Sequence, residues 1–272
     1  MKKKDRTWLQ TLVALLIIAL HITPFYIMVN MSLKELSDRS SRWMPALHPY
    51  FQNYPTAIEH GNLLSAMWNT WIIAFLSVII IVVAGAMAAY PLARKTSRRN
   101  RIILTLIVGV MMVPQLSILV PLYKEMVSLK GINHLWGIVI VSATFHLPMA
   151  IYMYSNFIKS IPKDLDEAAM IDGCSMMQSF FYVILPCLKS TTVSVIILNG
   201  VGIWNDYQFQ LYFLQKPTMR TITLAISTFF TDSKQDLGAA AAAAFIVVLP
   251  PVMAYIFLQK YFVKGAMDSA VK

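Results

Sequence analysis

EAAMIDGCSMMQSFFYVILP, residues 167–186, decides the fold of this chain. It is a charged, small-residue segment lying between two long apolar stretches, about 135–158 and 191–214, and it ends in Leu185-Pro186. Four more apolar stretches flank it, at about 9–29, 68–93, 102–122 and 240–262. Each is close to the roughly 20 residues that a helix needs to cross a bilayer. The chain is 57% hydrophobic and 13% charged, whereas a soluble domain carries about 25% charged residues. Composition and run length predict an all-α polytopic membrane protein with six transmembrane helices. A soluble fold would leave these apolar faces uncovered.

The net charge of +10 invites a nucleic-acid reading, but the placement of the cations argues against it. With the N-terminus inside, 15 of the 23 Lys and Arg residues fall on the cytoplasmic side, among them Lys2, Lys3, Lys4, Arg94, Lys95, Arg98, Arg99, Arg101, Lys159 and Lys163. Positive charge favours that side, so both termini and residues 159–190 are predicted to be cytoplasmic. The first apolar stretch follows MKKKDR and has a signal-like start. It is longer than a signal-peptide core and lacks an A-x-A site, so it reads as a retained helix. Cys174 and Cys187 fall on the predicted cytosolic side, with a spacing that fits no metal or redox motif.

The loop at 30–67 carries Trp43, Tyr50 and Tyr54, and aromatic residues favour the membrane interface. Prolines at 114, 121, 148, 250 and 251 predict bent helices. The run GAAAAAA at 238–244 predicts close helix packing. His21 and His146 are lone polar residues within spans and read as packing residues. No linker divides the chain, which reads as one integral membrane domain over 1–272, with the first span peripheral, a core at about 64–263 and a cytoplasmic loop at 159–190.

Within 161–173, Pro162 suits a helix start and Asp164 and Glu167 stand at capping-box spacing. Gly173 suits a helix stop. The result is a helix of about two turns, roughly 12–15 Å long, with Ala168 and Ala169 making part of its surface flat. A second short helix, at about 175–183, leads to Pro186. No G-x-x-x-x-G-K-[ST] phosphate loop occurs, and no metal-binding or catalytic constellation stands out, so the chain is not expected to be an enzyme.

Glu167-Ala168-Ala169, Gly173 and Leu185-Pro186 resemble the cytoplasmic coupling loop of ATP-binding-cassette (ABC) importer permeases. That family reads EAA, three residues, G, nine residues, I, one residue, LP; here Val183 stands for the Ile. Asn69-Thr70, the stretch from Ala89 to Arg94, Pro114, Pro121-Leu122, Trp204-Asn205-Asp206 and QKYFVKG extend the similarity over the chain. They resemble the second permease subunit of carbohydrate importers of the maltose/oligosaccharide class. His134 and Asp268-Ser269 depart from it.

The resemblance implies a type I ABC importer permease core with a cytoplasmic coupling helix, in a bacterial inner or plasma membrane. It implies a second homologous permease, two ATPase subunits that bind ATP and Mg, and an extracytoplasmic sugar-binding protein. Glu167, Ala168, Ala169, Gly173, Leu185 and Pro186 are then the coupling residues. The chain itself is expected to bind no cofactor.

Span five is the expected sugar pathway, because polar groups inside a membrane helix are costly and mark routes. At 100° per residue, Asn199, Asp206 and Gln210 share one face. Asn205, Gln208 and Tyr212 form another stripe, and Trp204 is placed to stack on a sugar ring. The competing reading makes these residues glue between helices. Another polar solute, such as a glycerol phosphate ester, would call for basic groups deep in a span. An ion-driven secondary transporter would call for buried ionisable relays. No Lys or Arg lies deep in a span, and only Asp206, His21 and His146 are candidates for a relay.

Overall fold

A computed structural model describes the backbone of residues 4–231 and 236–270, and the side chains of 8–230 and 236–260. The described residues are helical wherever they are regular. The order is α1 (Lys4–Ser32), α2 (Asn53–His60), α3 (Leu63–Arg94), α4 (Arg98–Val110), α5 (Leu119–Ser128), α6 (Leu135–Ser160), α7 (Asp164–Ile171), α8 (Met176–Ser179), α9 (Leu185–Cys187), α10 (Lys189–Trp204), α11 (Gln208–Phe213), α12 (Ile222–Thr231) and α13 (Leu237–Ala270). Among these residues, four helices are long and apolar enough to cross a membrane: α1 from Trp8, α3, α6, and α13 to Lys260. The number rises to six if two bent pairs each count as one span.

Both bent pairs correct the sequence reading. The stretch at 102–122 is not one helix. α4 stops at Val110, and the segment from Gln115 to Ser128 leaves at 92°. Pro114 lies in the break with extended backbone. The stretch at 191–214 is also interrupted, because α10 ends at Trp204. Its bent partner lies on the other side, Met176–Cys187, at 74°. By contrast, Pro148 and Pro250-Pro251 sit inside unbroken helices. A missing N–H in a long apolar helix is tolerated when neighbouring groups meet the freed carbonyl.

The chain forms two compact units. The first comprises residues 1–65 and 224–250. No residue in the apolar window of α1 is buried, and a helix that is apolar all round suits lipid. The loop after α1 is folded. Asn30 donates to the carbonyls of Arg42 and Met44 at 2.8 and 2.7 Å and accepts from the Ala46 N–H. Asn53 donates to the carbonyls of Ser32 and Lys34. Trp43 and Phe51 stay exposed. Ala239, Ala240, Ala242 and Ala243 are buried, which makes the alanine run a packing surface.

The second unit comprises residues 66–223 and 251–272. Its buried side chains include Ile73, Ile81, Ile138, Tyr154, Ile158, Phe180, Ile184 and Ile203. Gly85 lets α3 approach α6, since a Cβ there would sit 3.1 Å from Ala150 Cβ. Gly137 is tighter still, because its Cβ would lie 2.3 Å from the Gly131 carbonyl oxygen. Gly137→Ala therefore has to displace backbone. The expected loss is about 1–3 kcal/mol, read as a lower thermal midpoint of the detergent-solubilised protein. An unchanged midpoint would contradict this packing.

Candidate functional site

The segment after α6 is built around one acidic side chain that faces inward. α7 begins at Asp164, and Lys163, at its N-cap, makes no side-chain cap. The expected capping box between Asp164 and Glu167 is therefore absent. A capping box is present at the start of α8 instead, where the Ser175 side chain accepts from the Gln178 N–H and Gln178 accepts from the Ser175 N–H. Gly173 ends α7 as anticipated. Its φ is +86°, and the Gly173 and Cys174 N–H groups donate to Met170 O at 3.1 Å and Ala169 O at 2.9 Å. This is the pattern of a Schellman stop.

Nothing lies within 4 Å of a Cβ added at Gly173, so its cost is one of backbone alone. Gly173→Val is expected to lower stability by about 1–2 kcal/mol. Gly173→Asn should recover part of it, because Asn tolerates the left-handed region. Thermal unfolding of the three proteins in detergent checks the order Gly, Asn, Val.

Asp166 and Ala169 form the buried face of α7. The flat patch expected from Ala168 and Ala169 is thus half right, since Ala169 points inward and only Ala168 is exposed. Asp166 Oδ2 lies 2.7 Å from Arg94 Nη2 at the end of α3. Its Oδ1 accepts from Tyr90 and from Ser179. Arg94 Nη1 also donates to the carbonyls of Ile158 and Ile161, at 2.9 and 2.8 Å. Tyr90 packs on Phe180, ring centroids 5.2 Å apart. α3, the end of α6, α7 and α8 are therefore tied at a single point. The other face of α7 is open. Leu165, Met170 and Ile171 are exposed, Ile171 to 86%, and Glu167 and Ala168 lie among them.

After α8 the chain forms a π turn, Phe180–Ile184, and then α9 with Pro186. The second short helix is thus part α, part π. Leu185 is half-buried and Pro186 exposed. Beyond it the axis turns by 74° into α10.

The expected pathway residues do not share a face. α10 ends at Trp204, so the 100° spacing does not carry through to Asp206 and Gln210. Asn199 is buried and donates to Val195 O within its own helix. Gln210 is fully buried and accepts from Thr221 and Thr223. Trp204 is 6% exposed and packs edge-on to Trp71, so its ring face is not free for stacking. Asn205 is exposed and Asp206 half-buried, both at the break. Thr223 donates to Asp206 O at 2.7 Å. Asn69 donates to the carbonyls of Thr218 and Arg220, and the Ile222 N–H donates to Thr70. These polar residues hold the stretch 218–223, a 3-10 turn leading into α12, in place.

Residues 81–267 match the family described as the binding-protein-dependent transport system inner membrane component. The chain belongs to this family. It is 38% identical to the melibiose/raffinose/stachyose import permease protein MelC of Bacillus subtilis, over 96% of this chain and 95% of that protein. It is 32% identical to the probable starch degradation products transport system permease protein AmyC of Thermoanaerobacterium thermosulfurigenes, over 97% of each. In fold it resembles a chain from a bacterial ABC transporter involved in the import of the acidic polysaccharide alginate. The TM-score is 0.80 at 20% identity, covering 96% of this chain and 99% of that one.

For a component of this family, the residue that sequence reasoning passed over is Asp166. It stands among Lys163, Asp164 and Glu167 in one charged run, and charge alone does not mark it as the inward one. The available signal was its position three residues before Ala169, which places both on one side of a helix.

Proposed function

We propose that the chain is the permease subunit of an ATP-driven sugar importer, with an oligosaccharide as substrate. The similarity to MelC along nearly the whole chain carries this reading. In the assembly it pairs with a second homologous permease, two ATPase subunits holding ATP and Mg, and an extracytoplasmic sugar-binding protein. It works as one permease domain of six spans in the cell membrane, with both termini and residues 159–190 in the cytosol.

In this reading the open face of α7 meets an ATPase. Glu167, Ala168 and the exposed Ile171 make the contact. Ala169 and Gly173 shape the helix, and Leu185-Pro186 directs the chain into α10. Movement of α7 reaches α3 through Asp166 and Arg94, so the two helices shift together and the cavity alternates in access. Asn205 and Asp206, open at the break after α10, are the first sugar contacts to test. Asn199, Trp204 and Gln210 hold the wall behind them.

The test is a pull-down of the tagged chain in mild detergent, with ATPase activity assayed on the eluate. A co-purifying permease and ATPase, stimulated by a binding protein and one sugar, are the expected result. A chain that elutes alone and moves solute along an ion gradient would overturn the proposal.

A further inference from the structure

A cavity of about 440 Å³ lies where the end of α3, the start of α4 and the end of α6 meet. Three cations line it: Lys95 from the link between α3 and α4, Arg101 from α4 and Lys159 from α6. All three are exposed, and among the described residues no carboxylate forms an ion pair with any of them. The cavity is not only polar. Leu92, Leu104 and Val108 also line it. On α4, Arg101, Leu104, Thr105 and Val108 follow the i, i+3, i+4, i+7 spacing of a single helix face. That face runs about 10 Å from the charged end to the apolar end. None of the residues of α4 is buried, so this chain leaves the face open.

The walls are fixed rather than loosely assembled. Arg94 binds the carbonyls of Ile158 and Ile161 and so holds the ends of α3 and α6 together, with Lys95 and Lys159 next to the anchored positions. Asn100 donates to the carbonyls of Pro91 and Lys95, both at 2.9 Å, and pins the start of α4 to the end of α3. Ser97 caps α4 by accepting from the Asn100 N–H. The three cations therefore extend from backbone positions that are held fixed around the cavity.

We propose that this cavity binds an anionic phospholipid from the leaflet on the side of residues 95–101 and 159–163, with the phosphate among Lys95, Arg101 and Lys159 and an acyl chain along Leu104 and Val108. A basic pocket between spans is a chemically suitable seat for an anionic headgroup. The apolar half favours a lipid over a free phosphate, which would gain nothing from Leu104 and Val108. The assignment does not depend on which solute the protein moves or on what binds α7.

The experiment is native mass spectrometry of the full chain, with any partners it retains, titrated with phosphatidylglycerol, phosphatidylcholine or inorganic phosphate. Phosphatidylglycerol should be held in preference to phosphatidylcholine. R101Q and K159Q should each weaken it by about fivefold, the worth of one cation near an anionic surface. K124Q, outside the cavity, should not. Leu104→Trp fills the apolar half and should weaken phosphatidylglycerol while leaving phosphate binding unchanged. Circular dichroism identifies any variant that has lost its fold, and the remaining variants then decide. Equal retention of the two lipids, or R101Q and K159Q matching K124Q, would overturn the site. Displacement by equimolar inorganic phosphate, with no effect of Leu104→Trp, would make it a free-anion site and overturn the lipid assignment.

Discussion

Replacing Arg94 with Ala is expected to cost about 3–5 kcal/mol, because it leaves a buried carboxylate without its counter-charge. The Arg94 and Asp166 side chains are only 10% and 9% exposed. The same change strips Ile158 O and Ile161 O of their donor. The loss should appear as a large fall in the thermal midpoint in detergent and as reduced accumulation in the membrane. A double replacement, Arg94→Met with Asp166→Leu, removes both charges and should be much less harmful than Arg94→Ala, since an apolar pair can substitute for a buried ion pair. What remains in the double variant measures the two carbonyls and the Tyr90 and Ser179 hydroxyls. A single-variant loss of under about 1 kcal/mol would mean that solvent reaches the pair and that its charges are screened as on a surface.

Reversing charge at Glu167 is expected to reduce ATP-driven uptake by on the order of thirtyfold, equivalent to about 2 kcal/mol at a charged contact. Folding should be nearly untouched. Glu167 is exposed, and its place in the first turn of α7 is worth only about 0.3–1 kcal/mol through the helix dipole. Glu167→Lys should therefore reach the membrane at the normal level while its solubilised complex loses sugar-stimulated ATPase activity. Parallel measurement of membrane abundance and transport separates the two effects. Uptake at the wild-type level would remove α7 from the proposed coupling role.

These two residues mark what could and could not be read from the sequence. Glu167 stands out in the sequence because it belongs to a pattern with fixed spacing. Asp166, its immediate neighbour, does not, because a run of charges carries no sign of which one faces inward. Four of the six apolar stretches were legible as long apolar helices by length alone. The bend in the third stretch was legible in Pro114, but its start at Val110 was not, since Met111, Met112 and Val113 are as apolar as the helix they interrupt. The break after Trp204 did leave a trace. Asn205-Asp206 is a turn-forming pair, and treating 191–214 as one continuous helix passed over it. Gly173 was read correctly, because a left-handed stop leaves few alternatives to glycine.

The π turn at Phe180–Ile184 gives the spacing between Gly173 and Leu185-Pro186 a geometric meaning. A π turn accommodates one residue more than an α turn at that place. Removing one residue between 180 and 184 would let the turn close as α and leave the downstream helix facing nearly as before, since a full turn remains a full turn. Removing a second would rotate everything after it by about 100°. The wide turn is thus one residue of slack in the count between Gly173 and Pro186.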